Sequence, residues 1–98
     1  MEERRSPVAR LSDGSREHSE AAARILLEEE QYQEPLYWLS PQRRTQLEEE
    51  LPAWFAEEYP RMLALHPDEL YEEELREETE MAVRARLEKY LGMDSEAL

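Results

Sequence analysis

The segment PDELYEEELREETEMAVRARLEKYLG, residues 67–92, sets the fold class. Within it Tyr71, Leu75, Thr79, Ala82, Val83, Leu87 and Tyr90 recur at spacings of three and four, which gathers them on one face of an α-helix. Pro67 suits a first helical position, and Gly92 suits the residue just past a helix end. Asp68 and Glu69 near the start and Lys89 near the end match the helix dipole. The spacing therefore predicts a helix from Pro67 to about Leu91. Glu72–Arg76 and Glu80–Arg84 are i,i+4 pairs worth about 0.2–0.5 kcal/mol each, opposed by the like-charge pairs Glu69–Glu73, Glu73–Glu77 and Glu74–Glu78.

Outward from this helix, nothing reads as a strand. The apolar residues are mostly Leu and Ala, with only Val8, Ile25 and Val83 as β-branched aliphatics. Asp13-Gly14 has no strand before it. The expected fold is all-α: a small single-domain bundle of three to five helices, with a proline-broken middle and a long C-terminal helix. Residues 1–14 read as an N-terminal arm and residues 15–98 as the helical domain. A first helix is expected from Ser15 to about Gln33, where Ala22, Ile25, Leu26, Glu29 and Tyr32 fall at spacings of three and four; the apolar stripe is Ala22, Ile25, Leu26 and Tyr32, with Ala21 beside it. Pro35 is expected to end it. Residues 34–42, EPLYWLSPQ, then read as an extended, proline-flanked plug. Ser40-Pro41 is a start signal, Ser as N-cap and Pro at the first helical position. The helix it opens is expected to kink or break at Leu51 before Pro52, with further interruptions at Pro60 and Pro67.

Composition narrows the function. The 98 residues carry a formal net charge of −13, all of it in residues 25–98. A body this acidic repels nucleic acid and anionic membranes, so no direct binding to either is expected; it suits a basic protein partner. There is no Cys, which removes disulfides, thiolate metal sites and cysteine nucleophiles. Eleven Arg against one Lys point to a GC-rich, bacterial genome, and the missing Asn and Cys to a thermophile. The start, MEERRSPVARLSDGS, lacks an apolar core like that of a signal peptide, and no run approaches the roughly 20 apolar residues of a membrane span. A cytoplasmic location is expected.

No catalytic constellation stands out. His18 and His66 are the only histidines, and neither falls in a Glu-x-x-His or His-Glu-x-x-His pattern. Gly14 and Gly92 are the only glycines, so no phosphate-binding loop is present. Consecutive glutamates such as Glu72, Glu73 and Glu74 point about 100° apart on a helix and do not converge on a metal. The chain reads as a non-enzyme with no cofactor and no metal.

Recognition remains. Trp54, Phe55, Trp38 and Leu39 are assigned to the core, with Tyr37 as the exposed member of the aromatic plug; adjacent in an extended segment, Tyr37 and Trp38 would point different ways, and at most one would be fully buried. Arg43 opposes the dipole at a helix start, with Glu34 or Glu30 as its expected partner. The candidate partner contacts are Tyr37, Trp38, Arg43, Glu72, Glu73 and Glu77. Leu75, Val83, Leu87 and Tyr90 form a candidate dimer face, because short, broken helices would leave part of the long helix uncovered. The functional expectation is a small acidic interaction or regulatory protein, an inhibitor or antitoxin acting on a basic partner surface. The alternative is a structural subunit of a homo-oligomer or larger complex whose acidity serves solubility.

Overall fold

The computed structural model describes residues 7–66, 68 and 71–93. Five α-helices and no strand occur among them: α1 (Pro7–Arg10), α2 (Arg16–Leu27), α3 (Gln33–Tyr37), α4 (Pro41–Leu65) and α5 (Glu72–Tyr90), with a 3-10 turn at Glu30–Tyr32 leading into α3. The all-α expectation holds. The expected start of the last helix at Pro67 and Glu69 lies outside the described residues; within them α5 begins at Glu72, where the Tyr71 N–H donates to the Glu74 carboxylate at 3.0 Å. Its far end is as expected. Gly92, at φ 76°, follows the last turn; its N–H donates to the Lys89 carbonyl and that of Met93 to Glu88, closing the orphan carbonyls.

The central helix departs most from expectation. Instead of breaking at Pro52 and Pro60, α4 runs unbroken for 25 residues. Ser40 caps it as predicted, its hydroxyl accepting from the Arg43 N–H at 3.2 Å. An interior proline costs about 3 kcal/mol. Against that, α4 buries Leu47, Leu51, Trp54, Phe55, Glu58 and Met62 on one face. The five apolar members contribute about 1.5–3 kcal/mol each, which outweighs both prolines. Glu48 and Ala56, whose carbonyls lose their i+4 donors to the prolines, are exposed residues, so the loss falls on the solvent side of α4.

At 1.5 Å per residue α4 is about 37 Å long, close to the 41 Å longest extent of the molecule. It is the hub. α2 packs on one part of it and α5 on another, while α1 lies against α2 and α5. α4 and α5 are antiparallel: Trp54 meets Tyr90, and Glu57 and Glu58 meet Arg86. The seam closes over Leu75, Val83 and Leu87, which are interior, with Tyr90 partly buried against the core. The face assigned to dimerisation is thus interior to a single chain, where α4 and α1 both pack on α5.

Within the expected N-terminal arm, Pro7–Arg10 form a helical turn, and Val8 and Leu11 pin the segment to the core. Val8 is fully buried in the core cluster, and the buried Ser12 hydroxyl donates to the Val8 carbonyl at 2.7 Å. Pro7 opens this single helical turn without wasting a donor. Gly14, at φ 82°, turns the chain into α2, where an added Cβ would lie 3.1 Å from the Tyr59 Cβ; the bend needs glycine on both counts.

Candidate protein-interaction site

The connection between α2 and α4 carries the most exposed aromatic surface. Residues 30–37 are helical rather than extended, and Trp38 caps the end of α3 in a helical conformation. Pro35 falls in the first turn of α3, where its missing N–H costs nothing, so it does not end a helix but helps start one. In this geometry Tyr32, Leu36 and Leu39 recur on the inner side, with Tyr32 and Leu36 buried and Leu39 partly so. Tyr37 and Trp38 fall on the outer side and are 75% and 73% exposed. They contact each other edge to face, with ring centroids 5.2 Å apart and planes at 84°. Tyr37 is exposed as expected. Trp38 is not a core residue, because helical rotation carries it out where an extended strand would have alternated the pair.

The pair stands on a braced element. Beneath it the Tyr32 hydroxyl donates to the Glu88 carboxylate at 2.9 Å and accepts from Arg84 at 3.1 Å. Arg84 also makes a two-pronged contact with Glu29 at 2.6 and 2.7 Å and donates to Glu80 at 2.7 Å. These carboxylates, Glu29 foremost, raise the already high guanidinium pKa against its burial. Burial pushes the Tyr32 phenol above its ordinary value; the hydrogen bond from Arg84 pulls it down and that to Glu88 pushes it up. Glu29 lies past the end of α2, just before the 3-10 turn, so helical spacing in the sequence does not point to this network.

Beside α3 lies a groove of about 680 Å³ between α2 and α4. Ala23, Leu27, Leu36, Leu47 and Pro52 supply its apolar lining. Glu20, Glu28, Glu48 and Glu49 outnumber Arg24 and Arg44 among its charged residues. Leu36 belongs to the groove and to the same short helix as Tyr37, so groove and aromatic pair share one element.

The other candidate contacts lie elsewhere. Arg43 does not reach Glu30 or Glu34. Its guanidinium stacks 4.9 Å over the Tyr90 ring, and its carbonyl accepts from the Tyr90 hydroxyl at 3.2 Å, tying the start of α4 to the end of α5. Arg44 pairs with Glu48 at 3.5 Å. Glu72 and Glu73 are exposed at the start of α5 and Glu77 is half-buried; Glu72 already holds Arg76 at 2.6 Å. A second seam network joins Glu58 to Arg61 and Arg86, both at 2.9 Å, with Arg86 stacked 4.8 Å over Trp54.

His18 sits 2.8 Å from Asp13, which also accepts from the Ser15 N–H at 2.9 Å. Burial alone would raise the Asp13 carboxyl; the hydrogen bonds from Ser15 and His18 outweigh it and hold the group below its ordinary value. This arrangement fastens the α1–α2 turn. Among the described residues no three His, Asp or Glu side chains gather as a metal-binding group, and no helix is long and apolar enough to cross a membrane. Comparison with protein-family models, curated proteins and solved structures finds no match.

Proposed function

We propose that the chain is a cytoplasmic, non-enzymatic regulatory protein that binds a basic protein partner through Tyr37 and Trp38, in the manner of an inhibitor or antitoxin. One observation carries this reading: two large aromatics stand exposed and in mutual contact on a helix that is itself held down by Tyr32 and Leu36. Tyr and Trp are the side chains that most often dominate interfaces, because they bring large area and little rotamer entropy. The fold gains almost nothing from them, since their area stays in water. The net charge of −13 favours a partner of opposite sign and speeds encounter at low salt.

The test is affinity capture from the source organism, followed by titration of the purified partner. The expected partner is basic, binds less well as salt rises, and is weakened by about 2 kcal/mol or more, roughly 30-fold, by Trp38→Ala. Retention of the same partner by the Tyr37→Ala/Trp38→Ala double variant at unchanged affinity would overturn the reading.

A further inference from the structure

We propose that the groove between α2 and α4 receives a basic amphipathic helix of the partner, its apolar side chains on the groove lining and its Lys or Arg side chains against the rim. The inference rests on the binding role given to Tyr37 and Trp38 and names what that site recognises. The groove has the two parts such a ligand requires. Its floor is aliphatic, with Ala23, Leu36 and Leu47 buried and Leu27 and Pro52 half-buried, and the rest of its lining is polar. Its volume of about 680 Å³ lies in the roughly 300–1,000 Å³ range typical of ligand sites.

The rim sets the sign of the ligand. Glu20, Glu28, Glu48 and Glu49 are all exposed. The pairs that hold Glu20 and Glu48, to Arg16 and Arg44, are both 3.5 Å long and solvent-exposed, so they are weak and yield to a better-placed cation. The part of α2 that lines the groove, Glu20 to Leu27, makes a wall about 12 Å long, which matches about two turns of a bound helix. No strand, and so no open sheet edge, occurs among the described residues to which an extended peptide would add. A groove walled by two helices fits a helical ligand with anchors at i, i+3 or i+4, and i+7.

A second copy of this chain is a poorer occupant. It brings another −13 charges to an acidic rim. Its exposed large apolar residues are Tyr37, Trp38, Leu63, Leu65, Tyr71 and Met81, and among the described residues no helix carries them at i, i+3 or i+4, and i+7.

The probe is a 15-residue Leu/Lys peptide with leucines on one helical face, compared with a peptide of the same composition whose leucines are dispersed around the helix. Calorimetry is expected to give one peptide per chain and at least a tenfold preference for the one-faced peptide. Amide shifts of the labelled protein are expected to centre on Ala23, Leu27, Leu36 and Leu47. The variant Glu28→Lys/Glu49→Lys, altered at two exposed positions, is expected to keep its thermal midpoint and bind the one-faced peptide at least tenfold more weakly. Equal binding of the two peptides, shifts centred on Glu72–Glu78, or an unaffected double variant would each overturn the proposal. So would a concentration-dependent dimer by light scattering whose shifts fall on the groove, which would assign the groove to a second copy. The natural partner separates the two readings. Loss on Trp38→Ala with full retention by Glu28→Lys/Glu49→Lys sinks the groove and keeps the aromatic site; the opposite pattern keeps the groove and sinks the aromatic site.

Discussion

Trp54 and Trp38 sit on neighbouring helices in opposite environments. Trp54 is 8% exposed, meets Tyr90 edge to face at 6.1 Å and lies under the Arg86 guanidinium. Trp38 is 73% exposed and its ring contact is with Tyr37 alone. The difference lies in helix register. In α4 a run of positions 47, 51, 54, 55, 58 and 62 turns one face inward for the length of the molecule. In α3 the inward positions are taken by Leu36 and, at either flank, by Tyr32 and Leu39, so the two residues between Leu36 and Leu39 must face out. Aromatic mass in the α4–α5 seam builds the fold; the same mass on α3 stays in water. The seam and α3 should therefore respond in opposite ways to substitution.

The seam should break first and hardest. Leu87 is fully buried between α4 and α5. Leu87→Glu places an unpaired charge there, which costs several kcal/mol and is comparable to the whole stability of a small domain. Loss of helical circular dichroism at neutral pH is the expected outcome. A folded monomer carrying this change would show that the seam opens more easily than its burial implies. Trp54→Ala is expected to cost about 3–5 kcal/mol by urea unfolding.

The brace under α3 comes next. Arg84→Met keeps much of the side-chain volume but leaves Glu29 and Glu80, both largely shielded, without their cation. A loss of about 2–3 kcal/mol is expected, below the 3–5 kcal/mol of a fully buried pair because these side chains retain some solvent. A loss under about 0.5 kcal/mol, the scale of an ordinary surface change, would mean the network adds little to the fold.

Tyr32→Phe is a smaller change with a pH signature. It removes hydrogen bonds to Glu88 and from Arg84, for an expected cost of about 1–2 kcal/mol at neutral pH. The raised phenol pKa means the unfolded chain releases this proton before the folded one does. The associated stability is complete below about pH 10, the unfolded value, and is lost as pH rises through the folded value. Unfolding midpoints should therefore fall above pH 10 more steeply in the wild-type chain than in Tyr32→Phe. Equal slopes would place the phenol's ionisation outside the folding equilibrium.

What was legible in the sequence follows the range of each interaction. The α5 face from Leu75 to Leu87, its Glu72–Arg76 and Glu80–Arg84 pairs, the Ser40 cap and the Gly92 stop are all set within a turn or two and read correctly. Tyr71, expected on that face, is instead extended ahead of the helix and exposed. The prolines misled because their local preference was allowed to outrank spacing. Positions 47, 51, 54, 55, 58 and 62 keep helical spacing straight through Pro52 and Pro60, and Tyr32, Leu36 and Leu39 do the same around Pro35. Weighing about 3 kcal/mol per interior proline against the apolar burial on either side gives the unbroken α4. The groove had no such signal: Glu28 and Glu49 come to one rim only because α2 and α4 pack together. Arg43 was matched to nearby acids, whereas its partner Tyr90 lies at the far end of the chain.

The smallest expected effect is on the stability of Trp38→Ala, and it is the sharpest test of the difference between the tryptophans. A residue that contributes to the fold loses apolar burial and leaves a cavity when truncated. Trp38 has little burial to lose, and nothing packs over it to collapse. Its backbone contribution, the N–H donated to the Pro35 carbonyl at 3.2 Å, survives the substitution. Alanine also favours helix slightly over tryptophan at the end of α3. The unfolding free energy is therefore expected to stay within about 0.5 kcal/mol of the wild type in urea titrations followed by circular dichroism. Fluorescence gives an independent reading. With Trp38 gone, the remaining emission comes from the shielded Trp54 and should shift to shorter wavelength, and quenching by acrylamide should become weaker. A destabilisation above 1 kcal/mol would make Trp38 a structural residue and remove the reason for assigning its exposed ring to a partner.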